Sequence, residues 1–139
     1  MTRVDFYVLA SAPPQGRERV ACRLADKAFR LGQKLYVHAE SESQAGALDE
    51  LLWTFRQQSF IPHTRTAGDD APVLIGSGGR EPPGDCPLLI NLDAEVPLFF
   101  SRFERVMEII DADEQRRAQG RSRFRFYQDR GYPLQTHKL

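Results

Sequence analysis

Short runs of β-forming apolar residues alternate with amphipathic helical segments throughout this chain. The run 4–10 predicts a buried first strand, 17–31 predicts a helix, and 34–38 predicts a second strand. The remaining pattern predicts a helix over 42–55, strands over 72–75, 87–92 and 105–110, a helical turn over 99–103, and a terminal helix that starts near Ala112. Strands this apolar are covered on both faces, so the order predicts an α/β sandwich.

With 139 residues, the chain has the length of one compact domain, and we expect that domain to span 1–139. Two connectors separate the predicted elements. One is a loop over 57–70, and the other is a Gly- and Pro-rich stretch over 76–84 that is expected to be flexible.

Overall charge does not indicate a partner, because 19 Lys and Arg residues balance 19 Asp and Glu residues. Cys22 is expected in the core, and both it and Cys86 are expected to be reduced thiols. The chain shows no basic segment followed by a long apolar one, and no stretch long enough to span a bilayer. We therefore expect a cytoplasmic protein with no membrane partner.

Nucleotide chemistry finds little support in the sequence. The loop 11–16 after the first predicted strand contains one glycine and two prolines, and it lacks both G-x-x-x-x-G-K-[ST] and G-x-G-x-x-G. The glycines of 76–79 are a looser candidate, but no helix start follows them. The sequence therefore predicts no nucleotide-binding loop and no cofactor.

Metal and nucleophile chemistry are also poorly supported. His38, His63 and His137 lie far apart with no C-x-x-C partner. There is no G-x-S-x-G motif, and nothing near Cys86 in the sequence would depress its pKa. We predict no metal site and no catalytic residue, so an enzyme is not the expected class.

The last quarter of the chain, 116–139, concentrates arginines and aromatic residues around one predicted helix. Arg117, Arg121 and Arg125 recur every four residues, so on a helix they lie along one face about 6 Å apart. Guanidinium groups in such a row can bind several carboxylates or phosphates, and Phe124 lies beside them. Spacing alone does not distinguish this interpretation from a solvated helix face.

Large apolar side chains also gather where the pattern predicts exposure. Trp53 ends the second predicted helix, and Phe60, Ile61 and Pro62 follow in the loop. Such groups outside a core stripe often mark an interface. The alternative, that Trp53 and Phe60 pack into their own domain, stays open.

Several of these segments resemble one known family. They are Phe6-Tyr7, the stretch Leu48-Asp49-Glu50-Leu51-Leu52-Trp53 leading into Ser59-Phe60-Ile61-Pro62-His63, the run Pro72-Val73-Leu74-Ile75, and the basic tail ending in Gly131-Tyr132-Pro133-Leu134. With them, the chain resembles the chi subunit of the bacterial DNA polymerase III holoenzyme over nearly its full length.

The resemblance implies a three-layer, Rossmann-like α/β/α fold with a mainly parallel sheet and no nucleotide chemistry. It implies a non-catalytic, clamp-loader-associated accessory subunit in DNA replication. Such subunits pair with the psi subunit and bind the acidic C-terminal tail of single-stranded-DNA-binding protein, and some use the psi surface for a helicase of the XPD/DinG type. Contact with DNA and the nucleoid would then be mainly indirect, through the replisome.

By position, the resemblance also assigns site residues. It implies that Arg117, Arg121, Phe124 and Arg125 bind the tail, which ends in aspartates, Ile-Pro-Phe and a free carboxylate. The terminal phenylalanine is expected in an apolar pocket near Ile110, Phe124 and Trp53. The surface for psi or the helicase is expected at Phe60, Ile61 and Pro62. A basic helix that binds DNA directly is the alternative.

Overall fold

The computed structural model describes residues 2–55, 60–66 and 70–139, which form one seven-stranded sheet with three α-helices. In chain order the elements are β1 (Arg3–Val8), α1 (Gly16–Arg30), β2 (Leu35–Ala39), α2 (Glu42–Thr54), β3 (His63–Thr64), β4 (Val73–Ser77), β5 (Leu88–Asn91), a 3₁₀ turn (Phe100–Arg102), β6 (Arg105–Ile110), α3 (Glu114–Asp129) and β7 (Leu134–Lys138). The strands lie in the order β3-β4-β2-β5-β6-β1-β7, and all pairs are parallel. The predicted α/β/α sandwich is confirmed.

The central strands have no solvent-facing side. Every residue of β2 and β5 is buried, and these strands are largely apolar. That is why the sequence shows continuous apolar runs here instead of alternation. None of the three helices in the described part of the chain combines the length and apolarity that crossing a bilayer requires.

Two cores lie on opposite faces of the sheet. One is formed under α1 and α2, and the other under α3 and the aromatic 3₁₀ segment. Cys22 belongs to the first core and Cys86 to the second, so the sheet separates the two free thiols. Burial raises the pKa of Cys22 to about 12 and that of Cys86 to about 11, so both stay protonated at neutral pH.

Local sequence signals explain where the first two helices end and begin. Gly32 follows α1 with φ of 71°, a conformation that glycine adopts without strain. Ser41 caps α2 by accepting the backbone N–H of Gln44 at 3.1 Å, and the Gln44 side chain accepts the N–H of Glu40 at 2.8 Å. Ser41 is therefore the N-cap of α2.

Two strands were not predicted. β7 lies in the polar stretch 134–138, which lacks the apolar alternation that would predict a strand. It forms a strand because its backbone pairs with β1. β3 has two residues inside the predicted loop 57–70, of which 57–59 and 67–69 lie outside the described residues. The connector predicted over 76–84 begins later than expected, because Gly76 and Ser77 still pair with β2.

The chain topology creates a crevice at one edge of the sheet. β1 leads into α1 on one face, β6 leads into α3 on the other face, and β1 and β6 are neighbours. The two connections therefore diverge at the carboxyl ends of adjacent strands. In parallel α/β sheets, such a position is where ligands bind.

Candidate functional site

A cavity of about 450 Å³ opens between α3 and the carboxyl ends of β1, β6 and β7. It is lined by Phe6, Val8, Leu9, Ala10, Ile110, Arg117, Gly120, Arg121, Phe124, Thr136, Lys138 and Leu139. Four of the six residues predicted for the tail site are therefore brought together here, namely Arg117, Arg121, Phe124 and Ile110. We call this the α3 cavity.

The floor of the α3 cavity is apolar. The rings of Phe6 and Phe124 meet with centroids 5.3 Å apart, and Ile110 completes the floor. A Cβ atom added at Gly120 would overlap the end of the Ile110 side chain, so with any other residue here Ile110 or α3 would have to shift. The floor can therefore receive an apolar or aromatic group.

The rim of the α3 cavity is basic. Arg117 donates to the backbone C=O of Asp111 at 3.3 Å and of Leu9 at 3.4 Å, which positions its guanidinium without neutralising it. Arg121 and Lys138 are exposed, and no ion pair to either is formed within the described residues. Three positive side chains thus surround an apolar floor.

The remaining arginines of α3 near this site have other surroundings. Arg125 is exposed and lies one turn beyond Arg121, outside the cavity wall. Arg116 binds both carboxylate oxygens of Asp111, each at 2.8 Å. Burial alone would raise the pKa of Asp111, but the hydrogen bonds from Arg116 and from the backbone outweigh it and hold that pKa below its usual value.

Arg123 faces the interior instead. It donates to Glu108 of β6 at 2.9 Å and to the C=O of Ala94 at 2.9 Å. The other oxygen of Glu108 accepts from Tyr127 at 2.8 Å and from Asn91 at 3.0 Å. Burial, reinforced by the neighbouring Glu108 carboxylate, raises the pKa of Tyr127, which stays a hydrogen-bond donor. This network holds α3 on the sheet.

A second exposed surface lies at the far side of the molecule. Trp53 and Phe60 are 54% and 59% exposed, and their rings meet at 5.0 Å. The ring of Trp53 also packs on His63 at 4.8 Å, and Pro62 is half-buried beside them. We call Trp53, Phe60 and Pro62 the aromatic patch. The alternative in which Trp53 and Phe60 pack into the core is wrong.

Two predicted positions need correction. Trp53 does not reach the α3 cavity, because it packs near β3 at one edge of the sheet, whereas the cavity borders β7 at the other. Six strand spacings separate those edges, roughly 29 Å. Ile61 is 0% exposed and belongs to the α1–α2 core, so it anchors the loop and offers no contact surface.

Several cavity residues were missed by sequence reasoning. Thr136, Lys138 and Leu139 belong to or follow β7, while Val8 ends β1 and Leu9 follows it. No local signal marks β7 as a strand, so its side chains could not be assigned to the site. Among the described residues, no cluster of three or more His, Cys, Asp or Glu side chains is arranged to hold a metal ion.

The fold and cavity define a parallel α/β domain in which an apolar floor and a basic rim lie at the switch point of the sheet. The family described as DNA polymerase III chi subunit, HolC, matches residues 1–135. The chain therefore belongs to the DNA polymerase III chi subunit family, whose members are accessory subunits of the polymerase in DNA replication.

Individual relatives agree with this assignment. DNA polymerase III subunit chi of Pseudomonas aeruginosa is 50% identical over 141 aligned positions, which cover 100% of this chain and 98% of that protein. The proteins of the same name from Haemophilus influenzae and Escherichia coli are 31% and 29% identical, covering 97% and 98% of this chain and 96% and 97% of theirs.

Similar folds occur in solved structures of other proteins. T4 UvsW aligns with a TM-score of 0.68 at 11% identity, and S. cerevisiae Dbp5 bound to Gle1 and IP6 aligns with 0.60 at 9% identity. These alignments cover 99% and 98% of this chain but only 42% of each of those chains. At such identities the likeness concerns the fold alone.

Proposed function

We propose that this chain is a non-catalytic, clamp-loader-associated subunit that binds the acidic C-terminal tail of single-stranded-DNA-binding protein and joins it to the psi subunit. One observation carries the first part. An apolar cavity is rimmed by Arg117, Arg121 and Lys138, whose charges no carboxylate in the described chain neutralises. A peptide that ends in aspartates, Ile-Pro-Phe and a free carboxylate carries the complementary groups.

The volume and chemistry of the α3 cavity suit such an end. At about 450 Å³ the cavity is within the range of ligand pockets. Burying a phenylalanine side chain against Phe6 and Phe124 contributes about 1.5–3 kcal/mol. The carboxylates of the peptide would meet the guanidinium groups, and Arg125 extends the basic row by one turn.

The test is fluorescence anisotropy of a labelled peptide ending in Asp-Ile-Pro-Phe. Arg121→Ala should weaken binding at least about tenfold, since a charge-assisted pair contributes about 1.5–3 kcal/mol. Arg23→Ala, which removes an exposed arginine from α1, is the matched control and should bind as the wild type does. Binding should weaken with salt, because the paired charges are exposed. Equal binding by both variants would refute the site.

For the second part, we assign the psi subunit to the aromatic patch. Exposed aromatic side chains in contact with each other are typical centres of protein interfaces. The patch and the α3 cavity border opposite edges of the sheet, so both partners can be bound at once. A helicase of the XPD/DinG type that used the same patch would compete with psi and leave tail binding intact.

A pull-down with psi separates the two surfaces. Phe60→Ala should lose psi and keep the tail peptide, whereas Arg121→Ala should keep psi and lose the peptide. If one substitution abolished both interactions, the two-surface arrangement would be wrong.

Direct DNA binding by the exposed arginines of α3 is the competing outcome. It predicts a mobility shift with DNA alone and a steep fall of affinity with salt. DNA binding that Arg121→Ala abolishes, without any binding of the peptide, would replace the tail by DNA as the ligand.

A further inference from the structure

β7 leaves one side of its backbone open. Within the described chain it pairs with β1 alone and forms an edge of the sheet. The ladder begins with the N–H of Val4 donating to the C=O of Pro133 and ends with the N–H of Leu139 donating to the C=O of Val8, both at 2.9 Å. In a parallel ladder, alternate residues bond to opposite neighbours. The odd-numbered residues 133–139 therefore face β1, and the even-numbered ones face outward.

The open side of β7 adjoins the α3 cavity. The outward-facing residues Thr136 and Lys138 are exposed and also line the cavity with their side chains. Their registered partners on β1, Phe6 and Val8, line the same cavity. A peptide that places a side chain in the cavity from this side therefore has its backbone beside the free N–H and C=O groups of β7.

We propose that the acidic tail binds as an eighth strand, antiparallel to β7, with its last phenylalanine opposite Thr136 and its isoleucine opposite Lys138. This inference rests on the proposed function and specifies its binding mode. The occupant is an acidic, extended peptide because the edge carries Lys138, and α3 carries Arg117 and Arg121 along the same cavity.

Three requirements select the antiparallel direction. The phenylalanine and isoleucine of the tail are two residues apart, so on a strand both side chains point to the same face. The proline between them has no N–H and must direct its nitrogen away from β7. On β1 and β7, the residues that face the cavity all direct their N–H groups away from β6, so a parallel strand would repeat that direction. Only in an antiparallel strand do the residues whose side chains face the cavity direct their N–H groups toward β7.

The same direction agrees with the charges. The tail's aspartates then extend past the carboxyl end of β7, where Lys138 and Arg117 lie. The terminal carboxylate lies further along, toward Arg121 and Arg125, because α3 runs back along the sheet from β6. The Thr136 N–H donates to that carboxylate.

Backbone N-methylation of the peptide tests the proposal with the intact protein. N-methylation of the isoleucine should weaken binding at least about tenfold, because it removes a hydrogen bond to Lys138 and places a methyl group between the strands. N-methylation of the preceding aspartate, whose N–H points away, should change affinity less than about twofold. This second peptide is the matched control for the effect of the methyl group on peptide conformation.

Amide hydrogen exchange followed by NMR supplies a readout on the protein. The amides of Thr136 and Lys138 should become protected when the peptide binds, whereas those of Gln135 and His137 are already paired with β1. Equal sensitivity to both methyl groups, or no added protection at Thr136 and Lys138, would overturn strand addition and leave cavity binding standing. No binding of the unmodified peptide would overturn the proposed function and this inference together.

Discussion

Arg123 of α3 and Glu108 of β6 form an ion pair, with 2.9 Å between Nε and Oε1, at a position where both side chains are almost completely buried. Tyr127, Asn91 and the C=O of Ala94 satisfy the remaining polar groups of the pair. The pair therefore sets the position and rotation of α3. Arg117 and Arg121 face the cavity because Arg123 faces the core.

Arg123→Ala should destabilise the domain by about 3–5 kcal/mol, because it leaves the Glu108 carboxylate buried without its counterion. Arg121→Ala, two residues away on the same helix and exposed, should change the free energy of unfolding by less than about 0.5 kcal/mol. Urea unfolding followed by circular dichroism measures both. Similar stabilities of the two variants would show that the buried pair does not hold α3.

Gly120→Ala should weaken tail binding and destabilise the fold. The new Cβ overlaps the Ile110 side chain, so α3 or the cavity floor must shift, at a cost of about 1–3 kcal/mol. Ser122→Ala, an exposed substitution to the same residue on the same helix, controls for part of the gain in helix propensity, which is about 1 kcal/mol for Gly→Ala. Anisotropy and thermal unfolding measure the two effects, and an unchanged affinity for the peptide would contradict the expected shift of the cavity floor.

In the loop next to β3, a buried residue and an exposed one are neighbours in the sequence. Ile61→Ala should cost about 2–5 kcal/mol of stability, because it empties a site in the α1–α2 core. Phe60→Ala should change stability by less than about 0.5 kcal/mol, since its ring is mostly exposed, and should still lose the psi subunit. Loss of psi by Ile61→Ala at full stability would move the contact to that residue.

Asp5 predicts a pH dependence of stability at the β7 edge. It accepts from Arg105 at 2.6 Å and lies 3.0 Å from Nε2 of His137 on β7. Burial alone would raise the pKa of Asp5, but the hydrogen bonds to His137 and Arg105 outweigh it and hold that pKa below its usual value.

A lowered folded-state pKa means that Asp5 stabilises the fold above its unfolded pKa of about 3.9, and that this stabilisation is lost as the pH falls through the folded value. Wild type should therefore be more stable than Asp5→Asn at pH 7, and the difference should shrink toward pH 3. Urea midpoints across that range measure it. A difference that persisted or grew in acid would contradict the assigned sign.

Local sequence was sufficient for most of the fold. The apolar face of α1, the N-cap Ser41 and the glycine that follows α1, Gly32, are short-range signals. The continuous apolar runs of β2, β4 and β5 follow from burial on both faces of the sheet. β7 was missed because an edge strand with exposed side chains needs no apolar pattern. Its existence depends on backbone pairing with β1, which is 130 residues away in register.

In the candidate site, too, some features could be predicted from the sequence and others depend on tertiary packing. The four-residue spacing of the exposed arginines was visible in the sequence, and so was Phe124 beside them. Whether a given arginine is free was not visible, because residues 116, 117, 121 and 123 share one helix and similar neighbours. Packing against β6 decides it: Asp111 and Glu108 neutralise Arg116 and Arg123, whereas Arg117 and Arg121 are left at the cavity. The partner of Arg116 is five residues away, just before α3, and that of Arg123 is fifteen residues away on β6. The periodicity of α3 alone encodes neither contact, because both depend on how the helix is placed on the sheet.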